Sequence, residues 1–241
     1  MRRGVKCKKE IIEEIKAKYD EIVKNEYGGK YTKALENFDN IAENRLRSVL
    51  DFFYDNPKSR NQAWKSCKGE FYEYAVFKAL NQIISQKEKL LEKFEILEGD
   101  KALPQHREEI AIKNWSEIFP DVDILVIEKK ARNVKAVISC KTSLRERLTE
   151  TAFWKRELER NPHTKDIKLL FVTTDKDNEL RIDTNRYIIL HVMDCTFVTD
   201  PNKYRQLIQA YKQKYGDRKD FNTLLLKIRE FSEIGRYLEN L

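Results

Sequence analysis

Two short stretches hold the residues best suited to chemistry. One is Phe119-Pro120-Asp121-Val122-Asp123, leading into an apolar run, and the other is Ser139-Cys140-Lys141-Thr142-Ser143, ending one. Side chains alternate along a strand, so Asp121 and Asp123 fall on one face of the first run, and Ser139 and Lys141 on one face of the second. Cys140 points the other way and can offer that face only its backbone carbonyl. Paired as a hairpin, the runs bring carboxylates beside an amine. Such a set suits phosphodiester hydrolysis, which needs a hard cation on oxygen ligands, a polarised water and positive charge on the developing oxygens. Asp121, alone or with Asp123 and the Cys140 carbonyl, is the expected Mg²⁺ ligand. Asp123 could equally orient its neighbour by hydrogen bonding. Lys141 is expected to position the water and stabilise the transition state. Taken singly, an Asp before a strand is a turn residue and a terminal Lys snorkels to solvent. Their facing positions, with polar Thr142-Ser143 following, favour chemistry.

The elements that must position these residues are legible in outline. Ile11 to Val23 and Ala34 to Phe53 carry apolar residues at helical spacing, Asp55-Asn56-Pro57 reads as a turn, and a further helix is expected from about Cys67 to Ser85. Strands are expected at Lys93 to Leu97, Val122 to Ile127, Val134 to Cys140, Ile167 to Thr173 and Tyr187 to Val192. Helices are expected over Glu108 to Ile118 and Leu144 to Arg160, after a polar stretch from Glu98 to Arg107, and the tail from Lys203 onward reads as mostly helical. This predicts an α/β protein: a central mixed sheet of about four to five strands flanked by helices, with helical extensions at both ends. Residues 1–241 read as a single domain, divided into a helical extension (1–66), a core (67–198) and a C-terminal extension (199–241).

Pro120-Asp121, a spacer, then Ser139-Cys140-Lys141 resembles the PD-(D/E)XK nuclease signature, with serine in the usual acidic slot, as in a subset of type II restriction endonucleases. Thr142-Ser143-Leu144-Arg145-Glu146-Arg147 is similar to the start of the helix after the catalytic lysine in such enzymes. The resemblance covers roughly Cys67 to Val198. It implies a Mg²⁺-dependent double-strand DNA endonuclease (Mn²⁺ able to substitute) acting in a prokaryotic cytoplasm on a short site. A homodimer would give one centre per strand of a palindrome. Alternatives are a structure-selective or repair nuclease of the same fold, or a DNA-binding module without catalysis. With Ser139 in the acidic slot, Asp121, Ser139 and Lys141 still need another acid. Glu70 and Glu73 lie upstream; Glu146, Glu150 and Glu157 lie downstream. At about 100° per residue, Val76, Phe77, Leu80, Ile83 and Ile84 form one stripe, and Glu73 falls roughly 20° from its centre. The downstream acids fall opposite the Leu144, Leu148, Trp154 and Leu158 side. Glu73 is therefore the expected catalytic and metal-binding acid, though an acid in a helix's first turn could instead answer the helix dipole. Thr142, Ser143, Arg145 and Arg147 are the expected DNA contacts, with Lys155, Arg156 and Arg160 weaker candidates beside the plainer reading of a solvated helix face.

Bulk properties agree with a polyanion partner. Lys and Arg number 47 against 40 Asp and Glu, a formal charge of +7. No apolar run is long enough for a membrane span, and Met1 to Lys9 lacks the apolar core of a signal peptide. A cytosolic protein without membrane partner or small-molecule cofactor is expected. Cys7, Cys67, Cys140 and Cys195 form no CxxC pair and His106 and His191 are isolated, which argues against zinc, and disulfides are not expected in a reducing cytosol. Gly28-Gly29 lacks the pattern of a phosphate loop.

Overall fold

A computed structural model describes residues 7–113, 117–144 and 147–241. The chain packs as two units, Met1–Gln82 and Ile83–Leu241.

The first unit is helical. It comprises α1 (Lys9–Glu26), α2 (Tyr31–Glu36), α3 (Phe38–Ile41), a wide turn at Ala42–Leu46, a tight one at Arg47–Phe52, and α4 (Pro57–Ser85) as far as Gln82. Of the apolar positions of α1, Ile11, Ile15 and Tyr19 are buried as their spacing predicts, Ile22 is half-buried, and Val23 takes its place in the buried stripe. Tyr19 and Phe38 both pack on Phe71, with ring centroids 5.0 and 4.9 Å apart. The helix α4 begins ten residues earlier than the sequence suggests, because Asn56-Pro57 starts it rather than merely turning the chain. The Asn56 side chain accepts the Lys58 amide at 2.8 Å, and proline suits the first helical position. Glu73 consequently lies mid-helix, so the helix-dipole reading of it fails. Cys7 and Cys67 form a disulfide, with Cα atoms 4.7 Å apart, contrary to the expectation of free thiols. That expectation rested on compartment alone, whereas folding of the unit brings the two residues side by side across 60 positions of sequence.

The second unit carries a six-stranded sheet in the order β1 (Phe94–Glu98), β4 (Ile124–Glu128), β5 (Asn133–Lys141), β6 (Lys168–Thr173), β7 (Cys195–Val198), β8 (Ile228–Glu230). A two-stranded ribbon, β2 (Ile112–Lys113) with β3 (Glu117–Ile118), stands apart. The pairs β1–β4 and β4–β5 are antiparallel; β5 to β8 run parallel, so the sheet is mixed as expected. Parallel neighbours need crossovers. These are supplied by α7 (Arg147–Arg160), by α8 (Asp183–His191), and by α9 (Pro201–Tyr215) with α10 (Phe221–Leu225). The helices α5 (Glu88–Lys93), α6 (Gly99–Ile110) and α11 (Ile234–Glu239) complete the unit.

Two expectations fail here. Tyr187 to Val192 is not a strand but mostly the second half of α8, which buries Ile188, Ile189 and Leu190 while Tyr187 and His191 face solvent. A run of β-branched residues imitates a strand, but the parallel pairing of β6 with β7 requires a crossover at that point. The strand itself comes later, at Cys195. The tail is mostly helical as expected, with the three-residue β8 among its helices. The polar stretch after β1 forms α6 rather than a loop, and the helix expected over Glu108 to Ile118 ends at Ile110.

The register aligns Lys141 with Thr173, Thr173 with Val198, and Val198 with Glu230. Lys141 thus ends β5 on the carboxyl edge of the parallel strands, where open α/β sheets place ligands.

Candidate active site

The paired aspartates lie just ahead of β4 rather than within it. Regular pairing stops at Ile124 opposite Ile138. Beyond it the Asp123 side chain replaces main chain: its Oδ2 accepts the Cys140 amide at 2.6 Å, and its own amide donates to the Ile138 carbonyl at 3.3 Å. The same segment is held from behind by α6. The Gly99 amide donates to the Asp123 carbonyl at 2.9 Å, and a Cβ at Gly99 would stand 1.9 Å from the Val122 carbonyl oxygen. Only glycine permits that approach.

Both carboxylates converge on one amine. Lys141 Nζ lies 2.8 Å from Asp123 Oδ2, 3.1 Å from Asp123 Oδ1 and 3.0 Å from Asp121 Oδ2. Exposure separates their roles. The side chains of Lys141 and Asp123 are 7% and 6% exposed, whereas Asp121 is 51% exposed. Burial raises the Asp123 pKa; the Lys141 ammonium opposes this, and the Asp121 carboxylate adds to it. Two acids thus share one amine at the mouth of the site. Ser139 lies one strand-step behind Lys141 on the same face, and its buried hydroxyl has no hydrogen-bond partner among the described residues. Cys140 is buried and forms no disulfide.

Past Lys141 the chain is clasped by the next connection. Thr174 Oγ1 donates to the Thr142 carbonyl at 3.5 Å, and Glu179 Oε2 accepts the Leu144 amide at 2.6 Å and the Ser143 hydroxyl at 3.4 Å. Glu179 was not among the sequence candidates. A lone acid in a loop carries no motif, and only the fold places it near residues 143 and 144.

The other candidates sort by location. Arg145 and Glu146 lie outside the described residues; Arg147 is the first residue of α7. Lys155 is no DNA contact, because it is buried in an ion pair 2.6 Å from Asp194, whose carboxylate also accepts the Leu169 amide at 2.8 Å and so pins α7 to the sheet. Arg156 and Arg160 pair with Glu159 and Glu157 along an exposed helix face. His106 pairs with Glu109. Glu73 is half-buried on α4, within the first unit, beside the buried stripe of Phe71, Tyr72, Ala75 and Val76.

No metal cage of three or more His, Cys, Asp or Glu side chains occurs among the described residues. The exposed Asp121 carboxylate with buried Asp123 beside it nevertheless fits Mg²⁺, which keeps several waters and commonly takes only one or two protein carboxylates beside substrate phosphate oxygens. They do not fit zinc, which needs His or Cys ligands.

Residues 101–224, just over half of the chain, match the family model for the BsaWI restriction endonuclease type 2. The chain belongs to that family. The matched region holds Asp121, Asp123, Ser139, Lys141 and Glu179 but not Glu73. Among curated relatives of this family member, "Putative type II restriction enzyme MjaVIP" of Methanocaldococcus jannaschii is 31% identical over 133 residues, covering 52% of the chain and 58% of the relative. "Probable type II restriction enzyme HpyAORF263P" of Helicobacter pylori is 38% identical over 63 residues, covering 26% and 33%. The chain therefore spans less than two thirds of the length of either relative. A solved restriction endonuclease PspGI–substrate DNA complex superposes with a TM-score of 0.61 at 19% identity, covering 98% of this chain and 93% of that one, which shows a shared fold. No helix among the described residues is long and apolar enough to cross a membrane.

Proposed function

We propose that this chain is a Mg²⁺-dependent, site-specific endonuclease that hydrolyses phosphodiester bonds in double-stranded DNA. The observation that carries the proposal is the convergence of Asp121 and Asp123 on the buried Lys141 amine at the carboxyl edge of the sheet. In this reading Asp121 and Asp123, with the Cys140 carbonyl, would hold the cation, and Mn²⁺ could replace it. When bound, the cation supplies charge to the phosphate and to a coordinated water. Lys141, whose Nζ faces two carboxylates, would donate hydrogen bonds to the attacking water and the phosphate oxygens. Asp123, tied to the Cys140 amide, fixes the height of Lys141 above the strand edge. Ser139 takes the acidic slot without adding charge. Thr142, Ser143, Arg145 and Arg147 would contact DNA, and the +7 charge would favour phosphate binding. A homodimer would place one centre on each strand of a symmetric site.

Incubation of the protein with plasmid DNA and Mg²⁺, against an EDTA control, tests the reading. Discrete fragments that vanish with EDTA are expected. A smear would mean a nuclease without sequence selection, and intact DNA with Mg²⁺ would overturn the catalytic assignment.

A further inference from the structure

We infer that Glu179 is a positioning residue: its carboxylate sets the segment from Thr142 to Leu144, and so the line along which the chain leaves Lys141 toward DNA. This rests on the nuclease reading above. Glu179 Oε2 takes the Leu144 amide at 2.6 Å and the Ser143 hydroxyl at 3.4 Å. The Leu144 carbonyl in turn accepts the Leu148 amide of α7 at 3.2 Å.

The post carrying Glu179 is bonded from several sides. Asp175, buried with φ of 50°, ends the extension of β6, and its Oδ1 accepts the Leu180 amide at 3.1 Å while its carbonyl accepts the Asn178 amide at 3.0 Å. From α8, the Asn185 amide donates to the Glu179 carbonyl at 2.9 Å, and from α9 the Tyr211 hydroxyl donates to the Leu180 carbonyl at 2.5 Å. Lys203 of α9 reaches the Asn178 side chain at 2.9 Å. A carboxylate mounted so firmly transmits the position of β6, α8 and α9 to the segment after Lys141.

The interaction needs an acceptor oxygen rather than a charge. Glu179 accepts the Leu144 amide and the Ser143 hydroxyl, and so sets where the chain enters α7, whose first residue is Arg147. Removal of the acceptor should let that entry drift and weaken the phosphate contact proposed for Arg147.

Binding of a mixed-sequence DNA duplex across a salt series tests this, with the wild type as reference. Glu179→Ala should weaken binding roughly tenfold near ~0.1 M salt and flatten the salt slope by about one, the signature of one lost phosphate contact. Glu179→Gln, which keeps an acceptor oxygen, should restore both. A purely structural role would lower the melting temperature and leave the slope alone. Wild-type slope and affinity in Glu179→Ala would overturn the inference, as would a Gln variant as impaired as Ala. Residue-resolved hydrogen exchange of the wild type covers the case in which Glu179→Ala does not fold. The Leu144 amide should be protected, and exchange at the rate of an open amide would also overturn the inference. If the wild type neither binds nor cuts DNA, the nuclease reading falls, while the exchange measurement still decides the clasp.

Discussion

Lys141 Nζ stands 2.8 Å from Asp123 Oδ2, and both side chains are less than a tenth exposed. A buried pair of this kind contributes little net stability when intact, but removal of one partner strands the other charge. Lys141→Ala should therefore destabilise the second unit by about 3–5 kcal/mol in denaturant unfolding. It should also lower Mg²⁺-dependent cleavage by at least ~10²–10³-fold. The double variant Lys141→Met with Asp123→Asn removes both charges and should regain most of the stability while staying inactive. A stable, active Lys141→Ala protein would contradict the assignment of the amine.

Asp121 is half exposed, with Oδ2 paired to Lys141 at 3.0 Å, whereas Asp123 is buried and tied to the Cys140 amide, so Asp121 is the carboxylate a cation reaches from solvent. Asp121→Asn should fold with unchanged stability, bind DNA, and fail to cut it. The companion series concerns the remaining acid. Glu150 is exposed and Glu157 pairs with Arg160, so glutamine at either position should leave cleavage intact. Loss of cleavage at either position would place that acid on α7.

Much of this was open to reading from residues alone. The hairpin carrying Asp121 and Lys141 follows from two apolar runs and the charged turn between them, because strand alternation leaves few other faces for those side chains. What failed depends on partners distant in sequence. Ile188 to Leu190 are β-branched or apolar in either state, and only the parallel neighbour β6 makes them a crossover helix. Gly99 shows no turn pattern, and its role is visible only when Val122 stands against it. Lys155 resembles a DNA-facing cation on its helix until Asp194, from the turn before β7, is seen to claim it. Glu179 and Asp175 belong to no motif.

The Cys7–Cys67 disulfide closes a loop of 60 residues in the first unit. On loop entropy alone such a link stabilises by about 4 kcal/mol. Reductant should lower the thermal midpoint of the helical unit, and a protein with Cys7→Ser and Cys67→Ser should melt at the reduced value with or without reductant. An unchanged midpoint on reduction would show that the link adds nothing to stability.

Asp175 gives the pH dependence its sign. Burial holds its pKa up at about 6 against an ordinary 3.8, opposed by the Leu180 amide, Lys203 and Arg181. The folded state thus keeps a proton that the unfolded chain has already lost between those values. By linkage the Asp175 contribution to stability is fully present below about 3.8, falls as pH rises to about 6, and stays low above that. The difference amounts to about 3 kcal/mol. Asp175→Asn keeps an oxygen for the Leu180 amide but cannot ionise. Its stability should match the wild type in acid and exceed it at pH ~8. Denaturant unfolding of both proteins across that range is the measurement. An Asn variant that is less stable at pH ~8 would mean that the ionised carboxylate, not the protonated one, holds the turn beneath Glu179.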